Sequence, residues 1–295
     1  MPELPDIEAY IAALRPRVVE QPIESAEVFS PFLVRTFDPP LDAVVGRRVT
    51  TLERLGKRIV FGLDGELYLV FHLMIAGRFR WSEQRRRVGG RIALAAFTFP
   101  SGTLTLTEAG SKKRAGLHVV AGRAGLTAHD PGGIDVRSAS LEALAERLRG
   151  ENHTLKRALT DPRLFSGIGN AYSDEILHAA RLSPLQWTTR LNQDEIERLW
   201  AAAQRTLAHW TGVLCAQVTR RFPGAGDVTA FREGFAAHGR FGKPCPTCGA
   251  TIQRIRYADN ETNYCPACQT GGRILADRSL SRLLRDDWPR SIDEA

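Results

Sequence analysis

The first eight residues, Met-Pro-Glu-Leu-Pro-Asp-Ile-Glu, place a secondary amine and three carboxylates within a short stretch of chain. A second residue as small as Pro2 allows removal of Met1, which leaves the ring nitrogen of Pro2 as the terminus, beside the carboxylate of Glu3. An amine that attacks an electrophilic carbon next to an acid that moves protons is a unit for covalent catalysis through a Schiff base. A terminal amine titrates about 2.5 units below a lysine, so several hundred times more of it is neutral at pH 7. Proline's greater basicity narrows that gap, so the site needs burial or nearby cations to hold its pKa down. The alternative is structural: Pro2 and Pro5 stiffen a helix start, and the acidic residues favour the positive end of its dipole.

A second constellation lies near the other end. Cys245-Pro-Thr-Cys248 and Cys265-Pro-Ala-Cys268 enclose sixteen residues, a spacing that closes a tetrahedral Cys₄ zinc site. Four thiolates leave no open position, so one Zn²⁺ is expected as a structural ion. The fifth cysteine, Cys215, falls in an apolar helical stretch and is expected to be a small buried side chain.

These groups need elements to hold them. Residues 5–19 read as a helix, and the chain to about residue 120 reads as short β-rich segments: 58–63, 66–71, 92–99 and 103–107. Asp64-Gly65 and Ser101-Gly102 are hairpin turns between them. A β-sandwich with a leading helix follows. Glycines and a proline mark a linker before a helical second half. There, Leu141, Leu144, Ala145 and Leu148 recur at helical spacing, residues 154–160 form a shorter helix, and Asn192 with Glu195 opens a long one. The turn Gly167-Ile-Gly169 before Asn170 reads as a glycine turn whose asparagine caps a helix, which can offer free N–H groups to a phosphate.

No apolar run approaches the ~18 residues that a membrane span needs, and the acidic start is unlike a signal peptide, so a cytoplasmic protein with no membrane partner is expected. The net charge of +7 and the dominance of arginine among the cations suit a polyanion.

The opening Pro-Glu-Leu-Pro-Asp-Ile-Glu resembles the PELPEVE start of the formamidopyrimidine-DNA glycosylase and endonuclease VIII family of base-excision-repair enzymes. Four further motifs match in order: Lys57, the turn His72-Leu-Met-Ile-Ala-Gly77, the stretch Gly167-Ile-Gly-Asn-Ala-Tyr-Ser-Asp-Glu175, and the cysteine pairs. The resemblance implies an α+β fold: an N-terminal β-sandwich with a leading helix, then a helical domain with a helix–two-turn–helix motif and a Cys₄ zinc finger. It divides the chain into a catalytic domain (1–125), a linker (126–138), a helix–two-turn–helix domain (139–240), a zinc finger (241–270) and a basic tail (271–295) with Arg273, Arg278, Arg282 and Arg285.

It also implies roles. Pro2 would be the nucleophile on a damaged nucleotide's sugar, Glu3 the acid, and Lys57 a phosphate contact that assists proton transfer. Ile75, or Met74 beside it, would fill the space left by the flipped base, and Lys113 would face the orphaned base. Ala115 stands where the family carries a wedging phenylalanine. Lys156 and Asn170 would hold the phosphate next to the lesion. Asn260 stands where the family's hairpin carries an arginine, and Arg254, Arg256 or Arg273 would substitute. The segment Arg220–Asp227 is shorter than in members that recognise 8-oxoguanine, which argues against that base as the preferred one. The expected partner is damaged double-stranded DNA, bound by a monomer. Two rival functions remain: a protein that binds lesions without excising bases, and a zinc-ribbon regulator that binds intact DNA.

Overall fold

The computed structural model describes residues 1–86, 90–219, 221–224, 226–257, 260–277 and 290–292, with Tyr257 through its backbone. Arg220, Arg278, Arg282 and Arg285 lie outside the described residues. The chain divides into two compact units, Met1–Pro131 with Trp210–Thr229, and Gly132–His209 with Ala230–Ala295.

In the first unit, helix α1 (Leu4–Val18) precedes strands β1 (Ser25–Val28), β2 (Val49–Leu55), β3 (Arg58–Leu63), β4 (Leu67–His72), β5 (Gly77–Ser82), β6 (Ala93–Phe99), β7 (Gly102–Glu108) and β8 (Gly116–Ala121), and a short helix α2 (Gly122–Thr127). The strands form two antiparallel four-stranded sheets, ordered β1-β6-β7-β5 and β2-β3-β4-β8. Successive side chains of a strand point to opposite faces, and β4 obeys this. Its Leu67, Leu69 and Phe71 enter the core between the sheets, where Phe71 meets Phe79 and Phe97 edge-on. Val70 points the other way, into a smaller cluster with Val60, Val120 and Leu126 of α2. Helix α1 lays Ile7, Tyr10, Ile11 and Leu14 on the main core, and its Ala9 and Ala13 pack against Leu214 and Val218. That packing fixes the start of the chain on the sandwich.

In the second unit, α3 (Leu141–Gly150), α4 (Leu155–Thr160), α5 (Asn170–Ala180) and α6 (Gln193–Val218, whose residues from Trp210 on belong to the first unit) precede the hairpin β9 (Gln253–Tyr257) and β10 (Asn260–Tyr264) and the short helix α7 (Pro266–Thr270). The capping signals act as expected at α3, where Ala143 N donates to Ser140 Oγ at 3.2 Å. At α6, Asn192 and Glu195 exchange reciprocal bonds of 2.9 and 3.0 Å.

Two local expectations change. The stretch read as a linker begins inside α2, and its Ile134 pairs with Phe165 while Val136 is fully buried. Glycine content hid an apolar pattern that packs. Asn170 does not cap α5: Gly169, in extended conformation, is the N-cap, and Asn170 is the first helical residue. Its amide is thereby released for another bond.

Candidate active site

The start of α1 is buried, Pro2 and Glu3 included. Each of the three carboxylates has a partner in the fold: Glu3 and Asp6 close a reciprocal capping box at the helix start, and Glu8 pairs with Arg54. Asp6 Oδ2 accepts the Glu3 N–H at 2.8 Å, tying off the first turn of the helix, and Glu8 Oε1 accepts Arg54 Nε at 3.0 Å. Glu3, 3% exposed, is the carboxylate next to the terminus. The terminal amine, on Met1 one residue ahead of the Pro2 nitrogen, has its pKa lowered. Burial is the chief cause; Glu3 and Asp6 oppose it, and the cations Arg78 and Lys57 add to it. The expectation of burial or nearby cations concerned the Pro2 nitrogen; the fold buries Pro2 and sets Arg78 and Lys57 to act on the Met1 amine next to it.

Lys57 sits in the tight β2–β3 turn, after Gly56 at φ +62°. Arg78 is the second residue of β5, and its Nη1 reaches back to the β4–β5 turn, donating to Ile75 O at 3.1 Å and to Gly77 O at 2.7 Å. In that turn Met74 adopts φ +53°, and a Cβ on Gly77 would lie 2.2 Å from Leu73 O, so only glycine closes it. The turn lifts Ile75 to 53% exposure, the more exposed of the two candidate wedges. His72, at the end of β4, is pushed down to about 4 by burial first, then by Arg58, Lys57 and His118.

The loop after β7 is organised by a residue that belongs to none of the motifs above. Glu108 is 1% exposed, and its Oε2 accepts the N–H groups of Arg114 and Ala115 at 2.9 and 3.2 Å. Lys113 Nζ donates to the Glu108 carbonyl. Ala115 is buried in the sandwich core, so no stacking surface is presented there.

In the second unit, the glycine turn, α4 and the zinc hairpin meet around one acid. Asp174 on α5 is fully buried; its Oδ1 accepts Lys156 Nζ at 2.5 Å, and its Oδ2 accepts His238 Nδ1 at 2.7 Å and Asn263 N at 3.1 Å. Lys156 Nζ also donates to Asn170 O at 2.7 Å, and Asn170 Nδ2 donates to Glu261 O of β10 at 2.9 Å. The two predicted phosphate ligands are therefore joined, and the hairpin holds the asparagine. Next to Asp174, Glu175 accepts the N–H groups of Ala236, Ala237 and His238 at 2.7 to 2.9 Å; burial raises its pKa, and those bonds oppose the rise. A run reading Ser-Asp-Glu on a helix carries no hint of this network, because apart from Lys156 its partners lie more than sixty residues away.

On the hairpin, Arg254 stacks 4.0 Å above the Phe241 ring and reaches Glu261 at 3.4 Å. Arg256 is exposed, and its N–H is taken by buried Asp277, which places part of the tail against the hairpin. Asn260 is exposed at the start of β10, and Arg273 follows α7.

The four cysteine sulfurs lie within 4.8 Å of one another. Zn–S bonds of about 2.3 Å put tetrahedral sulfurs about 3.8 Å apart, so the set fits such an ion. Thr247 N and Cys268 N each donate to a sulfur at 3.4 Å, and His178 Nε2 lies 3.2 Å from Cys245 Sγ; such second-layer bonds favour thiolates. Cys215, by contrast, is half-buried.

Three domain families match this chain in order: the formamidopyrimidine-DNA glycosylase N-terminal domain over residues 1–110, its H2TH domain over 130–214, and the zinc finger found in FPG and IleRS over 242–271. A formamidopyrimidine-DNA glycosylase of Moorella thermoacetica is 34% identical over 267 residues, covering 87% of this chain and 95% of that protein. The MutM (Fpg) structure from Thermus thermophilus superposes with a TM-score of 0.76 at 28% identity, covering 91% of this chain and 98% of that one. The Lactococcus lactis Fpg in complex with DNA containing an oxidised pyrimidine gives 0.78 at 25%, covering 91% and 100%. A β-sandwich joined to a helix–two-turn–helix and zinc-finger unit defines the class, a DNA-repair glycosylase. The chain belongs to the formamidopyrimidine-DNA glycosylase family.

Proposed function

We propose that this protein is a bifunctional enzyme of base excision repair, which removes oxidised bases from damaged double-stranded DNA and then cuts the strand. The carrying observation is the buried pair Pro2 and Glu3, beside a Met1 amine whose pKa is lowered by burial first and then by Arg78 and Lys57, surroundings that would act likewise on a Pro2 nitrogen one residue on. With Met1 removed, the Pro2 nitrogen attacks C1′ of the damaged nucleotide. Glu3 gives a proton to the ring oxygen, the base leaves, and an iminium bond joins protein to sugar. The iminium acidifies the C2′ hydrogen, so β-elimination and then δ-elimination cut on both sides, with Lys57 assisting proton transfer. The base must first be flipped out of the stack.

Ile75, raised by its turn, fills the gap, and Lys113 faces the orphaned base. With Ala115 buried, the opposite base is read by fewer groups than the family's full wedge provides. Lys156 and Asn170 hold the phosphate beside the lesion, and Arg254 and Arg256 grip flanking phosphates in place of the arginine missing at Asn260. The ion at Cys245, Cys248, Cys265 and Cys268 is zinc, with a structural role. The catalytic (1–125), helix–two-turn–helix (139–240), zinc-finger (241–270) and tail (271–295) limits are those expected above, with 126–138 a packed connection instead of a free linker, and the enzyme acts as a cytoplasmic monomer, associated with the nucleoid in a bacterial cell.

Borohydride trapping on an abasic duplex tests the chemistry. The mature protein is expected to form a covalent adduct, Pro2→Gly or an N-terminal tag to abolish it, and Glu3→Gln to slow base release by about 10²–10⁴-fold. Full incision by a protein that still begins with Met1, or no adduct from the mature form, overturns the assignment and favours lesion binding without excision.

A further inference from the structure

The first unit carries a second surface that the reaction above does not use. In the loop after β1, Phe37 is 97% exposed and Phe32 is 74% exposed, the two largest exposures among the described large hydrophobic side chains. Loops that show aromatics to water are usually slack, but this one is fastened. Leu33 is 2% exposed, and Leu117 N donates to Leu33 O at 2.9 Å. Arg35 N donates to Leu117 O at 2.8 Å, and Val119 N donates to Thr36 Oγ1 at 2.8 Å. Two aromatic rings are thus held out from the edge of β8 on a rigid support.

The ground around them is basic. The β-register sets Arg58, His72 and Gly116 side by side across β3, β4 and β8, and Arg35 lies against Gly116, where a Cβ would meet its Cγ at 3.7 Å. His118, two residues on, meets the His129 ring at a tilt of 58° with ring centres 4.6 Å apart. The Arg58 charge acts on His72, His118 and His129, so these groups form one patch. The acids facing it are Asp38 and Asp130, the latter acting on Arg58. Lys57 acts on His72 together with Arg58, which links the patch to the proposed catalytic edge.

Guanidinium groups take phosphates in two-pronged fashion, and exposed rings take the faces of nucleobases. In an intact duplex those faces are already stacked on each other, so rings presented in this way suit unpaired nucleotides. We propose that the Phe32–Phe37 loop, with Arg35 and Arg58, is a docking surface for single-stranded DNA adjoining the lesion site. This inference rests on the reading that Lys57 meets DNA. It predicts that the protein engages damage next to unpaired strand, where a purely duplex-binding repair enzyme gains nothing.

Fluorescence anisotropy with a labelled oligothymidylate and with a blunt duplex carrying one abasic-site analogue tests the proposal on the full chain. The Phe32→Ala/Phe37→Ala variant is expected to lose about 10-fold or more in affinity for the single strand, with duplex affinity changed less than about twofold, and Phe37→Trp to keep single-strand affinity. Unchanged single-strand binding in the double alanine variant overturns the proposal. So does a shift in oligomeric state in place of DNA affinity, which would make the loop a self-contact. If wild type binds neither DNA, the repair assignment itself falls; if it binds the duplex but not the single strand, only the docking surface falls.

Discussion

The two ends of the chain solve different problems by different means. At the zinc finger, four ligands come from two short CxxC turns joined by a hairpin, so the site closes within one stretch of about 24 residues, Cys245 to Cys268. At the N-terminus, a single amine depends on groups from the helix start, the β2–β3 turn and the first residues of β5, brought together only when the sandwich forms. A metal site is specified by ligand type and spacing, because the ion itself supplies the organising energy. A poised amine is specified by its surroundings, because desolvation and neighbouring charge are properties of the folded environment.

Metal removal tests that contrast most severely. Chelation is expected to remove on the order of 10 kcal/mol from the folding of the zinc-finger region and to weaken DNA binding steeply. The residual protein should still form borohydride adducts at saturating abasic DNA, since the amine site lies in the other unit. Parallel loss of binding and of trapping at saturation would show that the two regions are not separable.

Next in size is Asp174→Ala, which strips the fully buried acid from Lys156, His238 and Asn263. Leaving a buried cation uncompensated costs about 3–5 kcal/mol. Urea unfolding measures that cost, and a double-mutant cycle with Lys156→Met should be clearly non-additive. Additive behaviour would mean that the acid does not act through the lysine.

The smallest effect concerns His72. Its folded pKa is lowered from 6.5 to about 4, so the unfolded chain binds more protons between those values. Stability from this residue is therefore complete above pH 6.5 and is lost as pH falls toward 4. His72→Gln should flatten the decline of Tm over that window; an identical decline in the variant would reassign it to other groups.

Much of this was legible in the residues themselves. Leu67, Leu69 and Phe71 alternate as a half-buried strand must, Ser140 and Asn192 announce helix starts, and the cysteines announce a metal. The failures have one cause. Asn170 looks like a cap because asparagine often caps, yet Gly169 does so here, and the amide goes to Glu261, ninety-one residues away. Glu108, Asp174 and Glu175 carry no mark of their burial in the sequence: N–H groups six and seven residues on close over Glu108, and N–H groups more than sixty residues away close over Asp174 and Glu175.

By itself, then, the sequence determined which chemical groups exist and which local elements carry them: a prolyl amine beside an acid, a four-thiolate set, strands, caps and turns. Only the tertiary structure decided which acids are spent as structural partners, which amine is desolvated, and which rings are left in water. Covalent spacing sets what is near along the chain, but protonation and solvation depend on what is near in space.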